Sequence, residues 1–137
     1  MSIDEQILDC INTVSSELGN FYREAIYQNA LVLELQCRGI ICQTEVVVDI
    51  KYKGVYVGFE RADIVIYNSF NFNKILRILE LKSQTSKIST KEEKQLSRYL
   101  INLDCPKGYV VNFYDSLEIK VVDKEHNLSL QGGTNQS

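Results

Sequence analysis

Residues 62–82, ADIVIYNSFNFNKILRILELK, decide the fold. Ala62 to Tyr67 is an apolar run of strand length, and Ile75 to Leu81 is another, so two buried strands are predicted around a polar turn at residues 68–74. Both strands contain an acid that an ordinary core strand would lack. Asp63 interrupts the first run, where a carboxylate loses its hydration unless a cation or several donors meet it. Period-two alternation places Glu80 and Lys82 on one face of the second strand, opposite Leu81. If the two strands pair, Asp63, Glu80 and Lys82 converge, and a position at strand ends near a cleft resolves the desolvation problem.

Working outward, Thr44 to Tyr52 alternates and is rich in valine, Lys53-Gly54 is a turn, and Val55 to Phe59 resumes the β pattern, which predicts a hairpin. Two helices precede it. Ile3, Ile7, Leu8, Ile11, Val14 and Leu18 recur at spacings of three and four, with Gly19 as the stop. Between Tyr22 and Arg38 the residues Ala25, Ile26, Ala30, Leu31, Leu33 and Leu35 do the same, with Gly39 beyond them. Downstream, Thr90 to Leu103 reads as a helix with Thr90 as N-cap, Glu92 and Glu93 in its first turn, and Pro106 past its end. Tyr109 to Phe113 and Leu117 to Val122 are short strands. The predicted order is ααββββαββ, an α/β domain with one mixed β-sheet flanked by helices. A single domain is expected over residues 1–125, with a polar, flexible tail at 126–137.

With 137 residues, 45% hydrophobic and 24% charged, the composition is that of a globular protein and excludes a disordered or collagen-like chain. A net charge of -3 argues against an overall field that attracts polyanions. The distribution differs from the total: residues 1–50 are at -6, residues 51–98 at +5 and residues 99–137 at -2. A basic middle third offers either a localised anion-facing surface or solvated faces that happen to cluster. Cys10, Cys37, Cys42 and Cys105 contain no CxxC pair, and the one histidine, His126, is far from all of them in sequence, which argues against a zinc cluster. Cys10 and Cys37 fall within helical apolar patterns and are expected as buried reduced thiols, consistent with an intracellular, reducing compartment. Neither a signal peptide nor a membrane span is visible.

Two carboxylates and a lysine at neighbouring strand ends have a definite chemical use. Hard oxygen ligands hold Mg²⁺ or Mn²⁺, such an ion stabilises charge on a phosphate and lowers the pKa of bound water, and the lysine orients that water. On spacing alone, the ExK triplet is a weak signal that occurs by chance in most proteins, and its ordinary reading is a surface ion pair flanking a strand.

The strings LGNFYREAIYQNALVLELQCRGI, YKGVYVGFERADIVI, ILELKS, KQLSRYL and GYVVNF, in that order from about Leu18 to Val122, resemble the GxxExxY family of the PD-(D/E)xK nuclease superfamily. The resemblance implies a restriction-endonuclease-like core and a nuclease activity that depends on Mg²⁺ or Mn²⁺, with DNA preferred to RNA by analogy. It matches Asp63 and Glu80 to the two metal-binding acids and Lys82 to the signature lysine. Glu24 matches the acid supplied by the N-terminal helix, and Gln95 a helix glutamine beside the site. Tyr27 and Tyr99 match motif tyrosines. One position departs: Phe21 stands where the motif has glycine, which puts the local turn in question more than the acids. Lys87, Lys91, Lys94 and Arg98 follow the ExK strand and are candidate phosphate contacts. A homodimer would allow two strands to be cut. The rival expectation is an inactive nucleic-acid-binding or protein-interaction module on the same fold.

Overall fold

The structure is a computed structural model, and residues 1–124 are described; Glu125 and the expected tail at 126–137, with His126, lie outside the described residues. Two helices, α1 (Ile3–Leu18) and α2 (Glu24–Cys37), lead into strands β1 (Cys42–Tyr52), β2 (Val55–Tyr67) and β3 (Ile75–Lys82). Helix α3 (Thr90–Asn102) and strands β4 (Lys107–Asn112) and β5 (Glu118–Asp123) follow. The five strands form one sheet in the order β1-β2-β3-β4-β5, antiparallel throughout except for the parallel β3–β4 pair that α3 connects. The observed order is therefore ααβββαββ. The two strands expected at Val55–Phe59 and Ala62–Tyr67 are a single strand of 13 residues, because Glu60 and Arg61 stay paired with Val48 and Val47 of β1. The Lys53-Gly54 turn has positive φ at both residues, 50° and 78°, the geometry of a two-residue hairpin loop.

Helices α1 and α2 cover one sheet face and α3 the other. Ile7, Cys10, Ile11 and Val14 of α1 and Tyr27, Leu31 and Leu35 of α2 pack with Ile64, Ile66, Leu79 and Leu81. On the opposite side Leu96, Tyr99 and Leu100 of α3 pack with Ala62, Val65, Ile78 and Val110. Ala62 and Ile64 should share a face by strict alternation, yet they enter different cores. The parity breaks at Asp63. It breaks on β1 as well, where Cys42 packs with one core and Val46 and Val48 with the other. The residue between them, Glu45, stands opposite Asp63, is skipped by the ladder, and has φ 53°. A paired irregularity thus turns both strands over at the same point while the register on either side is kept.

Two further features fix the layers. Gly108 on β4 lies against α3, and a side chain there would come within 2.6 Å of the Ile78 carbonyl and 3.1 Å of Leu96, so the absent Cβ sets how closely that helix approaches. In the first turn of α1, Asp4 accepts from Arg77 Nε at 2.7 Å and Nη2 at 2.8 Å, and also from the Tyr109 hydroxyl. The Arg77 guanidinium holds the Asp4 carboxyl well below the usual carboxylate range against the opposing effect of burial.

Local details correct the sequence reading in three places. Helix α3 is capped by Ser89 rather than Thr90, since the Ser89 amide and hydroxyl both donate to Glu92 Oε1 at 2.8 Å. Helix α2 begins at Glu24, not Tyr22, and leaves Leu33 exposed while burying Tyr27. Cys37 is exposed at the end of α2; Cys10 and Cys105 are buried and Cys42 is half-buried. Cys37 sits on the solvent side because Leu31 and Leu35 set the buried face of α2.

Candidate active site

The β2–β3 ladder ends at the Ile64–Leu79 pair, after which β2 pairs only with β1 and β3 only with β4. Asp63 and Glu80 occupy the fork. Their carboxylates take over the interrupted ladder: the Asp63 amide donates to Glu80 Oε1 at 2.9 Å, and the Leu81 amide donates to Asp63 Oδ2 at 2.7 Å. Each acid therefore satisfies a backbone donor that strand separation would have orphaned. Asp63 Oδ1 and Glu80 Oε2 accept no hydrogen bond among the described residues.

Burial raises both carboxyls. Asp63 is pushed up to about 6, chiefly by desolvation, with the Leu81 amide opposing and the charges of Glu24 and Glu45 adding. Glu80 is raised well above the ordinary range, by burial first and then by the charge of Asp63. Lys82 leans on both groups electrostatically, but it forms no ion pair within 4.0 Å of any carboxylate among the described residues. A buried and a half-buried acid that face each other without a paired protein cation among the described residues make a strong demand for an external one. The described residues gather no set of three or more His, Cys, Asp or Glu side chains around a common point. The donor set is thus two carboxylates, which suits Mg²⁺: a hard ion that keeps several waters and needs few protein oxygens.

A polar network shapes the approach beside Lys82. Asn112, buried at the end of β4, accepts from the Gln84 amide at 3.2 Å and donates to the carbonyls of Gln84 and Ser86 at 3.1 Å, which fixes the segment after β3. Gln84 Nε2 donates to Glu92 Oε1 at 3.2 Å. Burial pushes the Glu92 carboxyl up, but the Ser89 donors, Gln84 and the Lys82 charge together bring it below its ordinary value. These residues line a groove of about 570 Å³ with Lys82, Lys87, Lys91, Gln95 and Arg98. Gln95 donates to the buried Tyr99 hydroxyl at 3.0 Å, and Tyr99 is pushed up to about 12 by burial and by the nearby charge of Glu80. Arg98 is paired with Glu60 at 3.2 Å. Lys94 is exposed and does not line the groove. Two larger concavities, of about 720 and 730 Å³, lie elsewhere and contain neither acid of the pair.

Glu24 approaches from the other layer, at the first turn of α2. It is half-buried and raised by that burial; Lys82 opposes the shift, and Glu45 and Glu92 reinforce it. The segment before it is held at three points. Phe21 N–H donates to the Tyr114 carbonyl at 2.8 Å, the Ser83 hydroxyl donates to the Tyr22 carbonyl, and the Tyr27 hydroxyl donates to the Gly19 carbonyl at 2.7 Å. Tyr27 also stacks on Phe113 with centroids 4.6 Å apart, so its interactions are those of a packed anchor. Phe21 has φ 73°, a conformation natural to glycine. The turn is therefore kept despite the phenylalanine, whose ring is 65% exposed and meets Tyr114 edge-on at 5.4 Å. Glu45, Asn112 and the Glu92–Gln84 link carry little sequence signal; only the S-x-x-E spacing from Ser89 to Glu92 is legible beforehand.

The class these features define is an α/β domain with a mixed sheet, covered by helices and opened at its centre over two acids. A family profile for the PD-(D/E)XK nuclease superfamily matches residues 1–123, and the chain belongs to that superfamily. No curated protein matches the sequence. Among solved structures, the crystal structure of SSO0001 is similar in fold, with a TM-score of 0.56 at 23% identity over 74% of this chain. The similarity covers 50% of SSO0001, so this chain spans about half the length of that one. Among the described residues no helix is long and apolar enough to cross a membrane.

Proposed function

We propose that the protein is a nuclease dependent on Mg²⁺ or Mn²⁺ that hydrolyses phosphodiester bonds, with DNA as the preferred substrate. The observation behind this reading is the pair of facing carboxylates, Asp63 and Glu80, both raised by burial and neither paired with a protein cation among the described residues. Asp63 and Glu80 are the residues that would hold the ion. When bound, it stabilises negative charge on the phosphate and acidifies a coordinated water. Lys82, with no ion-pair partner among the described residues and two residues beyond Glu80 on the same strand face, orients the attacking water. Glu24 adds a carboxylate from the opposite layer, and Gln95 supports the site from α3 through Tyr99. Lys87, Lys91 and Arg98 along the groove, with Lys94 on the outer face of the same helix, receive the phosphate backbone. The Glu24-x-x-Tyr27 spacing and the left-handed turn at Phe21 support placement in the GxxExxY branch.

Cleavage of duplex, single-stranded and branched DNA and of RNA, each with Mg²⁺, Mn²⁺ and EDTA, tests the proposal. Metal-dependent cutting that Lys82→Ala abolishes is the expected result. Equal cutting by the variant would point to a contaminant, and retention of every substrate without cutting in any metal would favour an inactive binding module.

A further inference from the structure

Beyond the fork, β1 and β2 leave the sheet as a two-stranded ribbon, because residues 46–52 and 55–62 pair only with each other. Along one face of this ribbon the register places Val47 beside Arg61, Asp49 beside Phe59 and Lys51 beside Tyr56. Tyr56 is 55% exposed and Phe59 50%, and Val47 on the same face is also open to solvent. The Arg61 guanidinium lies 5.3 Å above the centre of the Phe59 ring. From Ile50 to Phe59 the charged residues are Lys51 and Lys53, with no acid. Aromatic rings at this exposure, interleaved with cations, are uncharacteristic of an ordinary solvent face. The stripe also shares strand β2 with Asp63 of the acid pair. Arg61 is two residues from Asp63 on the same strand and Tyr56 is seven, which at about 3.3 Å per residue spans roughly 7 to 23 Å from that acid.

We infer that this ribbon face binds unpaired nucleotides next to the bond that is cut, with bases stacked on Tyr56 and Phe59 and phosphates met by Lys51 and Arg61. Flat rings accept any base face, while the cations neutralise the strand that joins the bases. Asp49 is the single acid on the stripe, so the charge complements a polyanion rather than a second acidic copy of this chain. The inference rests on the nuclease reading and names the substrate form that the reading leaves open.

Binding of fluorescein-labelled single-stranded DNA, single-stranded RNA and duplex DNA, measured by anisotropy in EDTA, tests it. Tyr56→Ala/Phe59→Ala is expected to weaken single-strand binding about tenfold or more and duplex binding much less. Tyr56→Phe/Phe59→Tyr, which keeps both rings, should restore it. Arg61→Ala should weaken all three and reduce the salt slope by about one. The relative loss on DNA and RNA reports which strand the stripe prefers. Wild-type-like single-strand affinity in the double alanine variant would overturn the inference while leaving a cleaving wild type as a nuclease. A wild type that neither binds nor cuts nucleic acid would overturn both. Loss of a dimer in sedimentation, without change in affinity, would assign the face to a second copy instead.

Discussion

Replacing Asp63 with asparagine should make the metal-free protein more stable while abolishing the proposed metal-dependent activity. Asp63 is raised from its ordinary 3.8 to about 6, so between those values the unfolded chain has lost the proton that the folded chain retains. Stability contributed by the protonated group is fully present below about pH 4 and falls as pH rises toward about 6, after which the penalty is constant. Two units correspond to about 3 kcal/mol at neutral pH. Asparagine keeps an oxygen that can accept from the Leu81 amide, so the hydrogen bond at 2.7 Å survives, and Glu80 is relieved of its neighbouring charge. In EDTA near pH 8, thermal unfolding of Asp63→Asn should occur roughly 5–10 °C above wild type for a gain of about 2–3 kcal/mol. The difference should close near pH 4. Saturating Mn²⁺ should raise the melting temperature of the wild type and leave the variant unchanged, because only the wild type has both of the proposed ligands. A variant less stable than wild type at pH 8, or a gap independent of pH, would refute the account of the fork as an acid pair awaiting a cation.

The other predictions concern the scaffold. Phe21→Gly should stabilise by up to about 1 kcal/mol, relief of a left-handed residue costing ~1–2 kcal/mol being partly offset by loss of the Tyr114 contact; a melting temperature below wild type would contradict it. Asp4→Asn should cost about 1.5–3 kcal/mol at neutral pH by removing charge-assisted bonds to Arg77. Its folded pKa is depressed, so that cost should vanish only as pH falls through and below the usual carboxylate range, the opposite direction to Asp63. Asn112→Leu removes a buried side chain bonded to Gln84 and Ser86 and should destabilise by about 1–3 kcal/mol; faster proteolysis or hydrogen exchange at residues 83–86 is the check.

The sequence was informative wherever period and chemistry agreed. The two acids could be picked out because a carboxylate in an apolar strand has few acceptable environments, and the shared face of Glu80 and Lys82 follows from alternation alone. Alternation also misled. It assumes one face per parity, and the turnover at Glu45 and Asp63 depends on a φ of 53° that glutamate rarely adopts, so no local preference announces it. The polar pair Glu60-Arg61 looked like a break between strands, but their partners on β1 keep the ladder whole. Asn112 illustrates a third limit: a polar residue at the end of an apolar strand does not reveal that its partners are backbone groups 26 and 28 residues away.

The clasp between Asp4 and Arg77 and Tyr109 has a consequence for the order of assembly. Its partners are separated by 73 and 105 residues, so it closes nearly the whole chain and bears the loop-closure entropy of that span. Local helices and the β1–β2 hairpin have no such requirement. Docking of the first turn of α1 is therefore a late event in folding, and it should contribute little to the folding rate and much to slowing unfolding. An N-terminal addition that disturbs this turn would be felt as a shorter-lived native state rather than as a failure to fold.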